Sequence, residues 1–216
     1  MLEDRPFKDR QDAARKLLPL LQKYKSNKDA ILLAIPRGAL ELGVVFRDEL
    51  KLPLDIVVTK KIGAPNNEEY AIGSVAPDGS VEVNQAVVES AGIPPRFIEE
   101  EAQRLKHVIK RRYEEYRGSP IPPSLKGKIV IVVDDGIATG FTTQAAVHYI
   151  RRQKPKKIVL AVPVSARDSY EKLKPEVDEM ICLDTPEDFY AVGQFYETFN
   201  QVEDDQAKKL LAFRTI

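Results

Sequence analysis

Two adjacent carboxylates at the end of an apolar run are the residues in this chain best placed to do chemistry. The segment reads Val130-Ile131-Val132-Val133-Asp134-Asp135-Gly136-Ile137-Ala138-Thr139-Gly140-Phe141-Thr142-Thr143. A buried strand delivers Asp134 and Asp135. Gly136, Ala138, Thr139, Gly140, Phe141, Thr142 and Thr143 then supply a short turn and the opening of a helix. Glycines let the backbone approach a ligand closely, and the free N–H groups with the positive end of the helix dipole make a phosphate cradle. Thr139, Thr142 and Thr143 add hydroxyl donors. Two ionised acids repel a phosphate beside them unless something lies between, and a ribose supplies that spacing while its 2′- and 3′-hydroxyls donate to the acids. The pattern reads as a ribose 5-phosphate site.

The elements that must position these residues follow from periodicity. Ala30 to Ile35 and Leu54 to Thr59 are apolar runs of strand length, separated by a helical pattern at Leu40, Val44, Val45 and Leu50. Strand, helix, strand at this spacing is a βαβ unit, and continuously apolar strands imply a mainly parallel sheet covered on both faces. Lys128 to Val133 and Ile158 to Val164 continue the sheet around a helix from about 142 to 153, and a short strand lies around 180–183. A helix over 8–24 contains Pro19, which should kink or split it. Residues 63–67 read as a loop, and Asp78-Gly79 marks a hairpin between 72–76 and 80–83. A long charged helix runs from Pro94-Pro95 to Tyr116. The main domain spans 28–167 with an insertion at about 63–125, and 1–27 with 168–216 form a cap.

Composition narrows the partners. Lys+Arg 33 against Asp+Glu 33 leaves no net charge in 216 residues, so no global field draws nucleic acid or anionic lipid. No apolar stretch approaches the roughly 18 residues needed to cross a bilayer. The opening Met1-Leu2-Glu3-Asp4-Arg5-Pro6 lacks the pattern of a signal peptide, so a cytoplasmic protein is expected. The lone Cys182 reads as a small buried hydrophobe. His107 and His148 read as ordinary helix residues, and Lys110-Arg111-Arg112 as a solvated face.

The fourteen-residue string resembles the phosphoribosyl pyrophosphate (PRPP) motif of the type I phosphoribosyltransferases. Ile35-Pro36-Arg37-Gly38 stands where that family has its pyrophosphate loop, in which backbone amides and often a non-proline cis peptide face the diphosphate. Lys60-Lys61 follows the second strand, where a cation meets the pyrophosphate oxygens, although a Lys pair at a strand end is ordinarily just solvated. Pro36-Arg37-Gly38, Lys61-Ile62-Gly63-Ala64-Pro65, Ala71-Ile72-Gly73-Ser74-Val75 and the Asp-Asp motif together are similar to a group of bacterial and archaeal phosphoribosyltransferases of unassigned acceptor.

The resemblance implies a doubly wound α/β, Rossmann-like fold, and transfer of a 5-phosphoribosyl group from PRPP to a nitrogen of a base-like acceptor in nucleotide salvage. Asp134 and Asp135 would hold the ribose hydroxyls, and the 138–143 loop the 5-phosphate. Arg37, ahead of Lys60 or Lys61, would stabilise the leaving pyrophosphate together with Pro36 and Gly38. Mg²⁺ would be carried by PRPP near the two acids rather than by protein ligands of its own. A mobile 63–80 region would close over the site, and a homodimer is implied. The run Asp188 to Tyr196 is similar to the segment by which purine salvage members stack a base, so Phe189 or Tyr190 could stack on the acceptor, or both could be core. The strand from Ile158 to Ala166 and its exit lack the lysine by which purine readers meet a 6-oxo group. The competing reading is a PRPP-sensing regulator that binds RNA or a protein partner, against which stand the neutral charge and the retained pyrophosphate loop.

Overall fold

In the computed structural model, which describes residues 6–212, the elements follow one another as α1 (Arg10–Leu21), β1 (Ala30–Ala34), α2 (Ala39–Leu50), β2 (Leu54–Ile56), β3 (Lys60–Ala64), β4 (Asn67–Val75), β5 (Val81–Val83), α3 (Gln85–Ser90), α4 (Pro95–Arg117), β6 (Ile129–Val133), α5 (Phe141–Arg152), β7 (Lys157–Val164), α6 (Arg167–Leu173), β8 (Glu179–Asp184) and α7 (Asp204–Ala212). The most β-branched segment, β6, sits at the centre of a five-stranded sheet of order β2-β1-β6-β7-β8, every pair of which is parallel. All five β6 side chains are buried. Alternate residues serve opposite faces: Ile131 and Val133 pack with Leu17, Leu21 and Phe46 from α1 and α2, while Val130 and Val132 pack with Ala146, Val147 and Ile150 from α5. Full burial of each such Val or Ile contributes about 1.5–3 kcal/mol.

From β1 the chain winds through α2 to β2 on one side; from β6 it winds through α5 to β7 on the other. The order therefore reverses between β1 and β6, and the crevice at their carboxyl ends is where a doubly wound sheet binds its ligand.

The expected doubly wound architecture is present, with differences in detail. Pro19 does not split α1, because its ring lies on the exposed side two residues before the helix end at Leu21, where only one solvent-side bond is lost. The expected loop at 63–67 is instead the end of β3, the Pro65-Asn66 turn and the start of β4, in a separate antiparallel sheet of order β3-β4-β5. The Asp78-Gly79 hairpin forms as expected between β4 and β5. Ile62, Ile72 and Val75 are fully buried and join the main core with Leu105 and Ile109 of α4, so this inserted sheet is packed on the main domain. The sequence reading did not anticipate α3. β8 pairs with β7 beyond residue 167. Cys182 is half-buried; its Sγ–H donates to Asp184 O, and burial pushes the thiol up to about 11. The outer ends of the two expected cap segments, 1–5 and 213–216, lie outside the described residues.

Candidate active site

β1 and β6 pair in register to their last residues, Ala34 against Val133, so the segments leaving them lie side by side. From β1 comes Pro36-Arg37-Gly38, with a cis peptide bond between Pro36 and Arg37. From β6 comes Asp134-Asp135-Gly136. Gly38 is the N-cap of α2, and a Cβ placed on it would stand 2.0 Å from Asp135 Oδ2. The carboxylate thus packs on the start of α2, where only glycine leaves room and the helix dipole favours negative charge.

Arg10, in the first turn of α1, completes this contact. Its Nε donates to Asp135 Oδ2 at 2.6 Å, its Nη1 donates to Asn200 O at 2.7 Å, and its guanidinium lies 3.9 Å from the centre of the Phe199 ring. Arg10 is 6% exposed and ties segments from both ends of the chain to the acid pair. Asp134 is held from the other side: Oδ1 accepts from the Asp135 N–H at 2.9 Å and Oδ2 from the Thr143 hydroxyl at 3.1 Å. Burial, with Asp135 beside it, pushes the Asp134 carboxyl well above the ordinary carboxylate range. Burial raises Asp135 as well, against the pull of Arg10. Two neighbouring acids cannot both ionise without cost, and a ligand that donates to them relieves it.

The loop beyond is braced from β7 and α6. Ile137 N–H donates to Val164 O at 3.0 Å, Ala166 N–H to Ile137 O at 2.8 Å, and the Ser169 hydroxyl to Ala138 O at 2.5 Å. Ala138 and Thr139 are exposed, Gly140, Phe141 and Thr142 half-buried, and α5 begins at Phe141 with no side-chain cap. The sequence reading counted Thr143 among the hydroxyl donors to phosphate. Its side chain is instead buried and committed to Asp134, because the first turn of α5 points that position back under the acids.

Against the Pro36-Arg37 segment lies a cavity of about 350 Å³ whose lining also includes Thr59, Lys60, Arg112 and Tyr116. Three cations from three separate segments, Arg37, Lys60 and Arg112, line it. Burial, then the nearby Arg112 and Arg37 guanidinium groups, hold the Lys60 amine below its ordinary value. Lys61 is exposed and lines a neighbouring hollow with Phe97 and Arg104. Asp204 stands against the cluster, accepting from Arg112 Nη1 at 2.6 Å, Arg37 Nη1 at 3.1 Å and the Tyr116 hydroxyl at 2.6 Å. Those bonds, Arg112 first, hold its carboxyl well below the ordinary range.

The turn at Val192–Phe195 closes the other side. A Cβ on Gly136 would meet Val192 Cγ1 at 2.4 Å, and the Tyr196 hydroxyl donates to Asp135 O at 2.5 Å, so this turn lies directly on the acid pair. Phe189 is half-buried and packs against Phe195 with ring centres 5.0 Å apart. Tyr190 is 87% exposed and is the aromatic of the pair open to a ligand.

The structure therefore gathers Pro36, Arg37, Gly38, Lys60, Asp134, Asp135 and the 136–143 loop, while Lys61 lines the neighbouring hollow and Phe189 lies half-buried against Phe195. Sequence reasoning missed Arg10, Arg112, Tyr116 and Asp204. Arg112 was readable: it falls seven residues after Leu105 and three after Ile109, on the apolar stripe of α4 rather than its solvated face. Arg111 is exposed as expected. His148 is more than an ordinary helix residue, its ring nitrogens contacting Glu82 at 2.5 Å and Glu176 at 3.2 Å. Among the described residues no three His, Cys, Asp or Glu converge on a common metal position, and no helix is long and apolar enough to cross a membrane.

The sequence profile of the phosphoribosyl transferase domain matches residues 8–200. A Mycobacterium tuberculosis protein named "Putative phosphoribosyl transferase Rv0571c" is 36% identical over 205 residues, 95% of this chain and 46% of that protein. The chain thus spans about half the length of the curated relatives it matches. A ribose-phosphate pyrophosphokinase from Thermococcus kodakarensis is 31% identical over 138 residues, covering 61% of this chain and 46% of that protein. Among solved structures, TT1426 from Thermus thermophilus superposes with a TM-score of 0.77 at 33% identity, over 95% of this chain and 97% of that one. A match over nearly its whole length, joined to paired strand exits that carry the acid pair and the loop, places this chain in the phosphoribosyl transferase domain family.

Proposed function

We propose that the protein transfers the 5-phosphoribosyl group of PRPP to a nitrogen of a base-like acceptor and releases pyrophosphate. The observation that carries this reading is the side-by-side exit of Pro36-Arg37-Gly38 and Asp134-Asp135 from β1 and β6, with a cationic cavity on one side and the uncapped start of α5 beyond. The bond from the anomeric carbon to the diphosphate oxygen breaks, the bond to the acceptor nitrogen forms, and that nitrogen gives up a proton. A transition state with oxocarbenium character calls for positioning and for charge neutralisation on the leaving group. Asp134 and Asp135 accept from the ribose hydroxyls, and the amides of 138–143 hold the 5-phosphate. Arg37 and Lys60 take up charge on the departing diphosphate, and Tyr190 offers a face for a flat acceptor. Two adjacent acids without a cage of protein ligands suit a Mg²⁺ ion carried by the substrate, which when bound draws charge from the diphosphate.

The test is PRPP- and Mg²⁺-dependent pyrophosphate release across purines, pyrimidines and related nitrogen heterocycles, with the Asp134→Asn, Asp135→Asn double variant as blank. Release with one acceptor class is expected, together with PRPP affinity in the blank weakened well over tenfold, as loss of two charged acceptors implies. Unchanged affinity in the blank sinks the ribose assignment.

A further inference from the structure

We propose that Arg112, brought in by α4 of the insertion, binds the diphosphate of PRPP beside Arg37 and Lys60, and that the Asp204 carboxylate occupies this place until the diphosphate displaces it. The proposal rests on the PRPP reading above and adds to it a residue and a counter-ion from outside the motif.

The presentation of Arg112 is built. Its neighbour Tyr113 is 1% exposed, its hydroxyl accepting from the Val58 N–H at 3.2 Å, and Arg117 pairs with Asp55 at 2.6 Å. Both contacts pin α4 to the segment at the β2 edge, and the Arg112 side chain, 23% exposed, then points into the cavity that holds Arg37 and Lys60. Three cations in one hollow repel each other, and that repulsion adds to burial, the larger cause, in holding the Lys60 amine down. The anions on the guanidinium groups are Asp204, with Glu115 at 3.6 Å from Arg112 and Glu203 at 3.9 Å from Arg37. Among the described residues, Asp204 alone puts its carboxylate between both guanidinium groups and the Tyr116 hydroxyl. A phosphate oxyanion satisfies the same donors with more charge and more oxygens, and a guanidinium fork suits it at least as well as a carboxylate. Asp204 is itself 39% exposed, in the first turn of α7, so water can take it back when it is displaced.

A plain clamp between α4 and α7 would use the same bonds, and the sign of two substitutions separates the cases. Calorimetric titration with Mg²⁺-pyrophosphate, and separately with ribose 5-phosphate, is run on the wild type, Arg112→Met, Arg112→Lys and Asp204→Asn. Arg112→Met is expected to weaken pyrophosphate binding about tenfold or more, Arg112→Lys to fall between, and Asp204→Asn to tighten it about threefold, in line with charge-assisted contacts. Ribose 5-phosphate binding stays within about twofold of wild type in all three. Pyrophosphate affinity unchanged in Arg112→Met, or weakened by Asp204→Asn, overturns the proposal and leaves a clamp. Wild type that binds ribose 5-phosphate but not pyrophosphate overturns it too. Pyrophosphate binding without ribose 5-phosphate binding sinks the phosphoribosyl reading while the anion site at Arg112 stands.

Discussion

The two ends of the same parallel sheet treat charge in opposite ways. At the amino ends of β7 and β8, Glu179 accepts from Lys23 at 2.6 Å, Lys157 at 2.7 Å and the Tyr24 hydroxyl at 2.6 Å. Its carboxyl is lowered to about 2, against the cost of burial, by these hydrogen bonds, while Lys157 is raised by Glu179 and Tyr24. Every charge there stabilises its neighbour. At the carboxyl ends the directions reverse: Asp134 and Asp135 are raised, and Lys60 is lowered. Acids lie beside acids and cations beside cations, and the counter-ions that the fold supplies, Arg10 on Asp135 and Asp204 on Arg112 and Arg37, do not reverse the shifts of Asp134, Asp135 and Lys60. Groups perturbed against their own charge mark a place built for a ligand, whereas groups perturbed toward it mark a place built for stability.

The largest effect expected from this contrast is at Asp134. Asp134→Asn should weaken PRPP affinity about tenfold or more, measured by titration, because the ribose loses a charged acceptor. The same variant should be more stable than wild type. A carboxyl raised in the folded state costs stability once it ionises; the cost is absent below the unfolded value of 3.8 and grows as pH rises toward the folded value. Thermal unfolding at pH 7–8 should therefore move up by about 2–4 °C for each kcal/mol recovered, a gain that disappears near pH 3. Lower stability at neutral pH would break the comparison, since Asp134 would then be a structural acid.

A smaller loss, of the same sign in binding but opposite in stability, is expected at Gly38. A methyl group there meets Asp135 Oδ2 and Arg10 Nε, 2.0 and 2.8 Å from the Cβ, in a contact that cannot relax without breaking the ion pair. Overpacking of this kind costs about 1–3 kcal/mol. Gly38→Ala should weaken PRPP affinity severalfold by moving Asp135, and lower the unfolding midpoint as well. Unchanged affinity would mean that the Asp135 carboxylate takes no part in the ribose contact.

What the sequence made legible is the part of the site that one backbone segment carries. The acid pair, the glycine turn and the helix after it are contiguous, and so is Pro36-Arg37-Gly38, so local rules for strand exits and helix starts were enough. The rest depends on meetings across 125 residues, as for Arg10 with Asp135, or 92, as for Arg112 with Asp204. No periodicity announces such pairs. The missed hairpin from β3 to β4 has another cause: Pro65-Asn66 is a turn, but the register shifts around Gly63 break the alternation that would have marked its flanks as strands. Thr143 was misassigned because spacing shows that a hydroxyl is near the loop and not which way the helix turns it.

The smallest effect belongs to the amino end and completes the contrast. Glu179 is a depressed carboxyl, so its contribution is present above the unfolded value of 4.5 and is lost as pH falls toward about 2. Lys23 is 57% exposed and Lys157 34%, so solvent screens the pairs and both amines rehydrate when the acid is removed. Glu179→Gln should then lower stability by only about 1 kcal/mol at pH 7, read as a shift of a few degrees in thermal unfolding. The difference from wild type should shrink between pH 4.5 and 2 and vanish below that, while PRPP affinity stays within about twofold, as for sites without shared partners. This is the mirror of Asp134→Asn, which loses binding and gains stability. If Glu179→Gln weakens PRPP binding instead, the sheet transmits strain from one end to the other, and the division of labour between its ends fails.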